Sequence, residues 1–320
     1  MRLQLPASFR DRISRVFRPG GDAWLERLPD IVDECSARWS LADLEQHANL
    51  SYSWVGRCRS PYGPAILKIT VPNPEARSEI AALRSFASGA ACALYAHDPA
   101  LCAILVERLT PGETLWSVSE LGTRVEVAGS LVRVLHAEPR NEPAGFVFPR
   151  FFDLARRAFA RARGELSSRR AGAPWVTDLL RAVDLAEQMI DASDKEVLIH
   201  GDLHHGNILS SGSAWRIIDP KGILAPSWLE PGRFIRNQIG DAMKTEDALE
   251  TERQAVAMAE AFAECVDRTP YLVARGAALD ATVGACWSTE AQESDDRMLR
   301  TVATATELHR VAQLLRPESY

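Results

Sequence analysis

Hydrophobic and polar positions change rhythm along this chain, and the change divides it in two. From about Asn49, short runs rich in β-branched and aromatic residues recur between turn formers: LSYSWVGRC, then AILKITV after Pro61-Tyr62-Gly63-Pro64, then ACALYAH and LCAILVERL. Runs of this length bounded by turns predict four strands. Between the second and third lies PEARSEIAALRSF, with Ile80, Leu83 and Ala87 at helical spacing and Pro74 placed to open the helix. Before the strands, beyond the break at Pro19 to Gly21, residues 22–45 predict one or two short helical stretches packed on the back of the sheet.

Past Thr110-Pro111-Gly112 the period lengthens. Leu121, Val125, Ala128, Val132 and Leu135 form one apolar stripe. Val176 to Ile190, Val256 to Val266 and Leu299 to Leu315 form three more. The interruption is VLIHGDLHHGNILSSGSAWRIIDPKG, which predicts strands at 197–200, 207–209 and 215–218, with Gly212 at the last turn. The expected class is therefore α+β: a lobe of sheet plus helix over residues 1–110, carrying an N-terminal helical extension, and a mainly helical lobe over 111–320.

Composition narrows the function. A chain of 320 residues with 46% hydrophobic content buries a sizeable core, which excludes a disordered or fibrous protein. A net charge of -6 argues against a nucleic-acid partner, which needs a clustered basic face. From residue 221 onward, 11 Lys and Arg face 16 Asp and Glu, a balance suited to a cationic ligand. The six cysteines are scattered singly and read as reduced thiols. With neither a signal-peptide core at its start nor an apolar run of membrane-spanning length, the protein is expected in the cytoplasm, without a membrane partner.

Residues 200–207 read His-Gly-Asp-Leu-His-His-Gly-Asn, and Asp219 follows inside Ile-Ile-Asp-Pro-Lys-Gly. Phosphoryl transfer needs a carboxylate to orient and deprotonate a hydroxyl, and oxygen ligands to hold magnesium on nucleotide phosphates. Asp202 suits the first task. Asn207, five residues on, matches the Asp-to-Asn spacing of a kinase catalytic loop, and Asp219 matches the metal-binding Asp of the loop that follows.

These motifs, with Glu230-Pro-Gly-Arg-Phe-Ile-Arg-Asn237 after them, resemble the aminoglycoside phosphotransferase and choline-kinase-like superfamily, which shares the two-lobed protein-kinase fold. Within it the chain is most similar to the streptomycin 6-phosphotransferase and hydroxyurea-resistance kinase branch, densely over 197–237 and more thinly over 50–137. The resemblance implies ATP and Mg2+ as cofactors, with Lys68 of AILKITV contacting the phosphates and Glu79 its ion-pair partner, Glu75 being the rival for that place. It implies adenine contacts from the backbone at Glu107, Arg108 and Leu109. Lys221 is expected beside the phosphate and Glu230 beside the substrate, while His204 is expected to hydrogen-bond either phosphate or the loop backbone. Ser51 and Ser53, in a hairpin that lacks a glycine-rich signature, are expected to donate to phosphate oxygens. After Asp219 the chain departs from the branch, with Ala225-Pro226-Ser227-Trp228-Leu229 ahead of Glu230.

Rival readings rest on less. His200, His204 and His205 lack the spacing of a zinc motif, and neither a P-loop nor a nucleophile elbow is present. A pseudokinase usually lacks a catalytic or metal residue, and all are here. The acceptor is expected to be a small cationic molecule such as streptomycin, with a kinase for another hydroxylated metabolite as the alternative. Acidic residues at Glu246, Asp247, Glu250 and Glu252, and at Glu290, Glu293, Asp295 and Asp296, are either carboxylate partners for such an acceptor or solvated helix faces.

Overall fold

The computed structural model describes residues 3–86, 89–137, 143, 145–168, 172–190 and 194–317; Ala87, counted above with its helical stripe, lies outside them. The chain forms two compact units: Met1–Gly112 with Pro139–Phe146 and Ser210–Lys221, and Glu113–Glu138 with Val147–Leu209 and Gly222–Tyr320.

The first unit opens with helices α1 (Ala7–Val16) and α2 (Gly21–Arg38), then strands β1 (Ala42–Gln46), β2 (Ser53–Ser60) and β3 (Gly63–Thr70). Helix α3 (Pro74–Ser85) and strands β4 (Leu94–Asp98) and β5 (Ala103–Glu107) follow. The sheet runs β1-β2-β3-β5-β4, antiparallel throughout. Residues 42–46 are thus a strand and not part of the helical stretch expected over 22–45. ADLEQ carries no apolar alternation because it is a largely exposed edge strand.

Alternation along β3 places Ala65, Leu67 and Ile69 on one face, all fully buried. Phe9, Ile13, Trp24, Leu28 and Val32 of α1 and α2 join them, with Trp54 and Leu105, in one hydrophobic cluster. Removing one such side chain, Leu67 for instance, costs about 2–5 kcal/mol. The opposite face of β3 carries Ile66, Lys68 and Thr70 at intermediate exposure. Helix α3 starts where Asn73 Oδ1 accepts the Ala76 N–H at 2.9 Å, with Pro74 in the first turn. The segment around Asp219 belongs to this unit through backbone pairing: Cys92 N–H donates to Ile217 O at 3.0 Å, and Ile217 N–H to Ala90 O at 2.8 Å.

The second unit holds helices α4 (Leu121–Ala137), α5 (Phe151–Ser168), α6 (Val176–Met189), α7 (Gly232–Ala242), α8 (Ala248–Val266), α9 (Pro270–Glu290) and α10 (Asp295–Leu314). Helix α9 is the hub, packed against α5, α6, α7, α8 and α10. Its Ala- and Gly-rich sequence is buried nearly all round, so it shows no one-sided stripe. The strands Glu196–Ile199 and Ile223–Pro226 pair antiparallel and carry the loop between them. At the head of that loop Gly201 has φ +76°, and a Cβ there would meet Ile223 Cδ1 at 2.8 Å, so only glycine fits.

Candidate active site

In the first unit, Lys68 and the two acidic residues expected to act with it come together. Lys68 Nζ lies 2.7 Å from Glu79 Oε1 and 3.1 Å from Asp219 Oδ1. Side-chain exposure is 13% for Lys68 and 12% for Glu79, so this pair is largely withdrawn from water. Glu75 is exposed and lies outside this ion pair, adding only a small upward push on the Glu79 pKa. Burial works against the Lys68 ammonium, but Asp219 and Glu79 outweigh it and raise its pKa. Burial pushes Glu79 up to about 7, against the pull of Lys68, and Asp219 adds to the rise. Two carboxylates around one ammonium hold it charged. Asp219 sits at φ +57°, a left-handed conformation that Asp tolerates better than most residues and that recurs at functional positions.

Other expected nucleotide contacts lie in the same unit. Ser53 Oγ is 2.8 Å from Thr70 Oγ1, while Ser51 is exposed. The hairpin carrying Ser51 is held from α1, since Arg12 Nη1 donates to Leu50 O and Ser51 O, each at 3.1 Å. Glu107 Oε2 accepts the Ala93 N–H at 3.1 Å, Leu109 is buried, and Lys221 is partly exposed.

In the second unit the HGDLHHGN loop is held by its own polar groups. Glu230, 1% exposed, accepts the His200 N–H at 2.7 Å and the Gly201 N–H at 3.2 Å. The expected substrate carboxylate is therefore enclosed and orders the loop backbone. His200 Nδ1 accepts the Asp202 N–H at 3.2 Å, and His204 Nδ1 accepts the Gly206 N–H at 3.0 Å. Burial lowers the His204 pKa, which favours the neutral ring that this acceptor role requires. His205 is sandwiched between Trp116 and Phe234, with ring centroids 3.9 and 3.8 Å away, and burial, then Arg124, drives its pKa down to about 3.

Asn207 Nδ2 donates to Asp202 O at 3.0 Å, closing the five-residue turn. The amide oxygen is then the Asn207 atom suited to a cation. An amide oxygen and, in the first unit, the Asp219 carboxylate are each hard oxygen donors of the kind Mg2+ takes. Among the described residues, no group of three or more His, Cys, Asp or Glu is arranged to hold a metal ion.

Sequence reasoning missed the ion pair on Asp202 and the pairs that lie behind it. Arg233 Nη1 donates to Asp202 Oδ1 at 2.5 Å, and its Nε donates to Asp280 Oδ2 at 3.1 Å. Arg236 also pairs with Asp280, at 3.0 Å. Burial opposes ionisation of Asp280, but Arg233 and Arg236 outweigh it and lower its pKa; burial brings Arg236 down to about 10. Arg233 lies inside the EPGRFIRN run, but Asp280 belongs to no motif.

Most of the acidic residues considered for a cationic acceptor have partners of their own. Asp247 caps α8, Glu252 pairs with Arg310, Glu290 with Arg161 at 2.9 Å and Glu293 with Arg297 at 3.4 Å. Asp295 Oδ1 accepts from Trp175 Nε1 at 3.0 Å. In the stretch that departs from the branch pattern, Trp228 is fully buried and its Nε1 donates to Asp194 Oδ2 at 3.2 Å.

Comparison with known proteins gives the family, one of kinases that act on small molecules. The model of the aminoglycoside/hydroxyurea antibiotic resistance kinase family matches residues 38–290, and the chain belongs to that family. It is 27% identical to streptomycin 6-kinase of Streptomyces glaucescens, over 79% of this chain and 81% of that one. It is 30% identical to hydroxyurea phosphotransferase of Kitasatospora aureofaciens, over 68% and 64%. A solved structure of a thermostable mutant of aminoglycoside phosphotransferase APH(4)-Ia, a ternary complex with ADP and hygromycin B, superposes with a TM-score of 0.60 at 13% identity. That match covers 88% of this chain and 97% of the other, and shows a shared fold.

Proposed function

We propose that this protein transfers the γ-phosphoryl group of ATP to a hydroxyl of a small cationic molecule, with an aminoglycoside such as streptomycin as acceptor. The observation that carries the reading is the Lys68–Glu79–Asp219 cluster, in which a largely buried ion pair holds one ammonium charged beside an exposed carboxylate suited to a metal. Lys68 neutralises phosphate charge, with Lys221 and His204 assisting. Ser51 and Ser53 donate to phosphate oxygens, and the backbone at Glu107 and Leu109 meets adenine. Residues 1–110 act as the nucleotide lobe and 111–320 as the acceptor lobe.

Asp202 orients the acceptor hydroxyl and takes its proton as the oxygen attacks phosphorus. The proton moves to the Asp202 carboxylate while the bond to the ADP oxygen breaks, with no covalent enzyme intermediate. Asn207 and Asp219 are the residues for Mg2+, which supplies charge neutralisation on the phosphates when bound. Glu230 acts on substrate through the loop it orders. The cytoplasm, where ATP is supplied, is the expected place of reaction, and no helix among the described residues is long and apolar enough to cross a membrane.

Support for the acceptor class comes from the streptomycin 6-kinase similarity and from hygromycin B in the structural neighbour. The test is expression in a streptomycin-sensitive bacterium, with the mass of the recovered drug measured. A gain of one phosphoryl group supports the acceptor. Unchanged drug turns the search to other hydroxylated metabolites, assayed by ATP consumption.

A further inference from the structure

Arg233 is part of no contact that phosphoryl transfer by itself requires, yet it touches the carboxylate assigned as the base. Its side chain is 12% exposed and bridges two acids, Asp202 at 2.5 Å and Asp280 at 3.1 Å. Asp280 is itself held. It sits on α9, the hub helix, and accepts from Arg236 through both its carboxylate at 3.0 Å and its backbone carbonyl at 3.1 Å. Arg236 and Arg233 both extend from α7, whose start is pressed against α9: a Cβ on Gly232 would lie 2.8 Å from Gly276 O.

We propose that Arg233 is a positioning residue for Asp202, transmitting the fixed position of Asp280 on α9 to the mobile end of the catalytic carboxylate. The inference rests on the reading of Asp202 as the group that receives the acceptor hydroxyl. A carboxylate rotates freely about its last bond, and its plane decides which lone pair meets the hydroxyl. The planar guanidinium fork fixes that plane by gripping one oxygen while its other edge is gripped by Asp280.

A cation against a base also makes it weaker, which is a real cost to proton abstraction. In phosphoryl transfer that cost is small beside the gain, because the loose transition state asks for alignment more than for basicity. Misplacement of a reacting group by an ångström costs roughly 10²-fold in rate. The arrangement is also electrically closed. Asp202 and Asp280 balance Arg233 and Arg236, so the order is achieved without leaving a buried charge uncompensated.

The test measures ADP release with MgATP, in the presence of streptomycin and with water alone as acceptor. The variants are Arg233→Met, Arg233→Lys, Asp202→Ala and the double variant Asp202→Ala/Arg233→Met. Arg233→Met is expected to lower kcat by about 10- to 100-fold while leaving the KM for ATP unchanged. Arg233→Lys keeps the charge, and with it the fold, but lacks the fork; its kcat is expected between those of the parent and Arg233→Met at an unchanged unfolding midpoint. The double variant is expected to be no slower than Asp202→Ala, since Arg233 acts only through Asp202.

Multiplying losses in the double variant overturn the proposal, because Arg233 then acts elsewhere. So does a normal kcat with a raised KM for streptomycin in Arg233→Met, which would make Arg233 a binding residue. Full kcat in Arg233→Lys overturns it too, since charge alone would then suffice. If Asp202→Ala itself turns over normally, the assignment of the base falls and the positioning role with it. An inactive Asp202→Ala beside an unimpaired Arg233→Met defeats the positioning role alone.

Discussion

The imidazole of His205 lies face to face with the indole of Trp116, 3.9 Å between centroids and 14° between planes, and both of its ring nitrogens are buried without a hydrogen-bond partner among the described residues. Protonating it would place an unsolvated charge in an aromatic sandwich, which is why its pKa falls from 6.5 to about 3. The consequence has a definite sign. The unfolded chain takes up a proton as pH falls below 6.5 and the folded chain does not, so stability present above 6.5 is lost as pH falls toward 3. At pH 5 the loss from this residue is about 2 kcal/mol. His309, lowered from 6.5 to about 4 by burial, acts in the same direction. Urea midpoints measured from pH 7.5 to 4.5 are expected to fall less steeply in His205→Phe than in the parent.

Removing the Lys68 ammonium leaves Glu79 and Asp219 facing each other without a cation. Lys68→Met is expected to raise the KM for ATP and to lower kcat by about 10²-fold, the scale for loss of one preorganised charge partner. Steady-state kinetics check both parameters. Glu75→Gln, which changes an exposed residue outside the cluster, is expected to leave them unchanged.

A Cβ on Gly276 would meet Trp228 O at 2.5 Å and Leu229 Cα at 3.2 Å, backbone atoms that cannot step aside. Gly276→Ala is expected to destabilise the fold by about 1–3 kcal/mol. In α5, Gly164 has nothing within 4 Å of its hypothetical Cβ. There the same substitution is expected to stabilise by about 0.5–1 kcal/mol through helix propensity. Thermal or denaturant unfolding of the two variants separates close packing from propensity.

Arg12 holds the Leu50–Ser51 hairpin from α1, a helix that precedes the region matched by the family model. Arg12→Ala is expected to weaken ATP binding severalfold with no change in the KM for the acceptor. Ser53→Ala, which also loses its contact with Thr70, is expected to do the same. Calorimetric titration with a non-hydrolysable ATP analogue measures both; unchanged affinity in both variants removes the hairpin from the nucleotide site.

What the sequence disclosed and what it hid divide along a physical line. The HGDLHHGN loop was legible because its residues act on one another within a few positions, as Asn207 does on the Asp202 carbonyl. Lys68 and Glu79 were legible only through the family resemblance, which puts such a lysine on the second strand and its acidic partner on the helix that follows. Strand β1 was not, since an exposed edge strand needs no apolar alternation. Neither was α9, whose burial on every side erases the periodicity that marks an amphipathic helix. Arg233 and Asp280 are 47 residues apart, and only the seating of α7 on α9 makes them neighbours. Glu230 carried a readable motif but not its depth: at 1% exposure it serves the loop backbone.

The central claim is that Asp202 directs an acceptor hydroxyl onto the terminal phosphate of ATP. Its most direct test is mass spectrometry of streptomycin after incubation with MgATP and either the parent protein or Asp202→Ala, with ATP binding by each measured alongside. The account predicts streptomycin heavier by one phosphoryl group with the parent and no such product with the variant, at equal ATP affinity. Equal product from both proteins would contradict it.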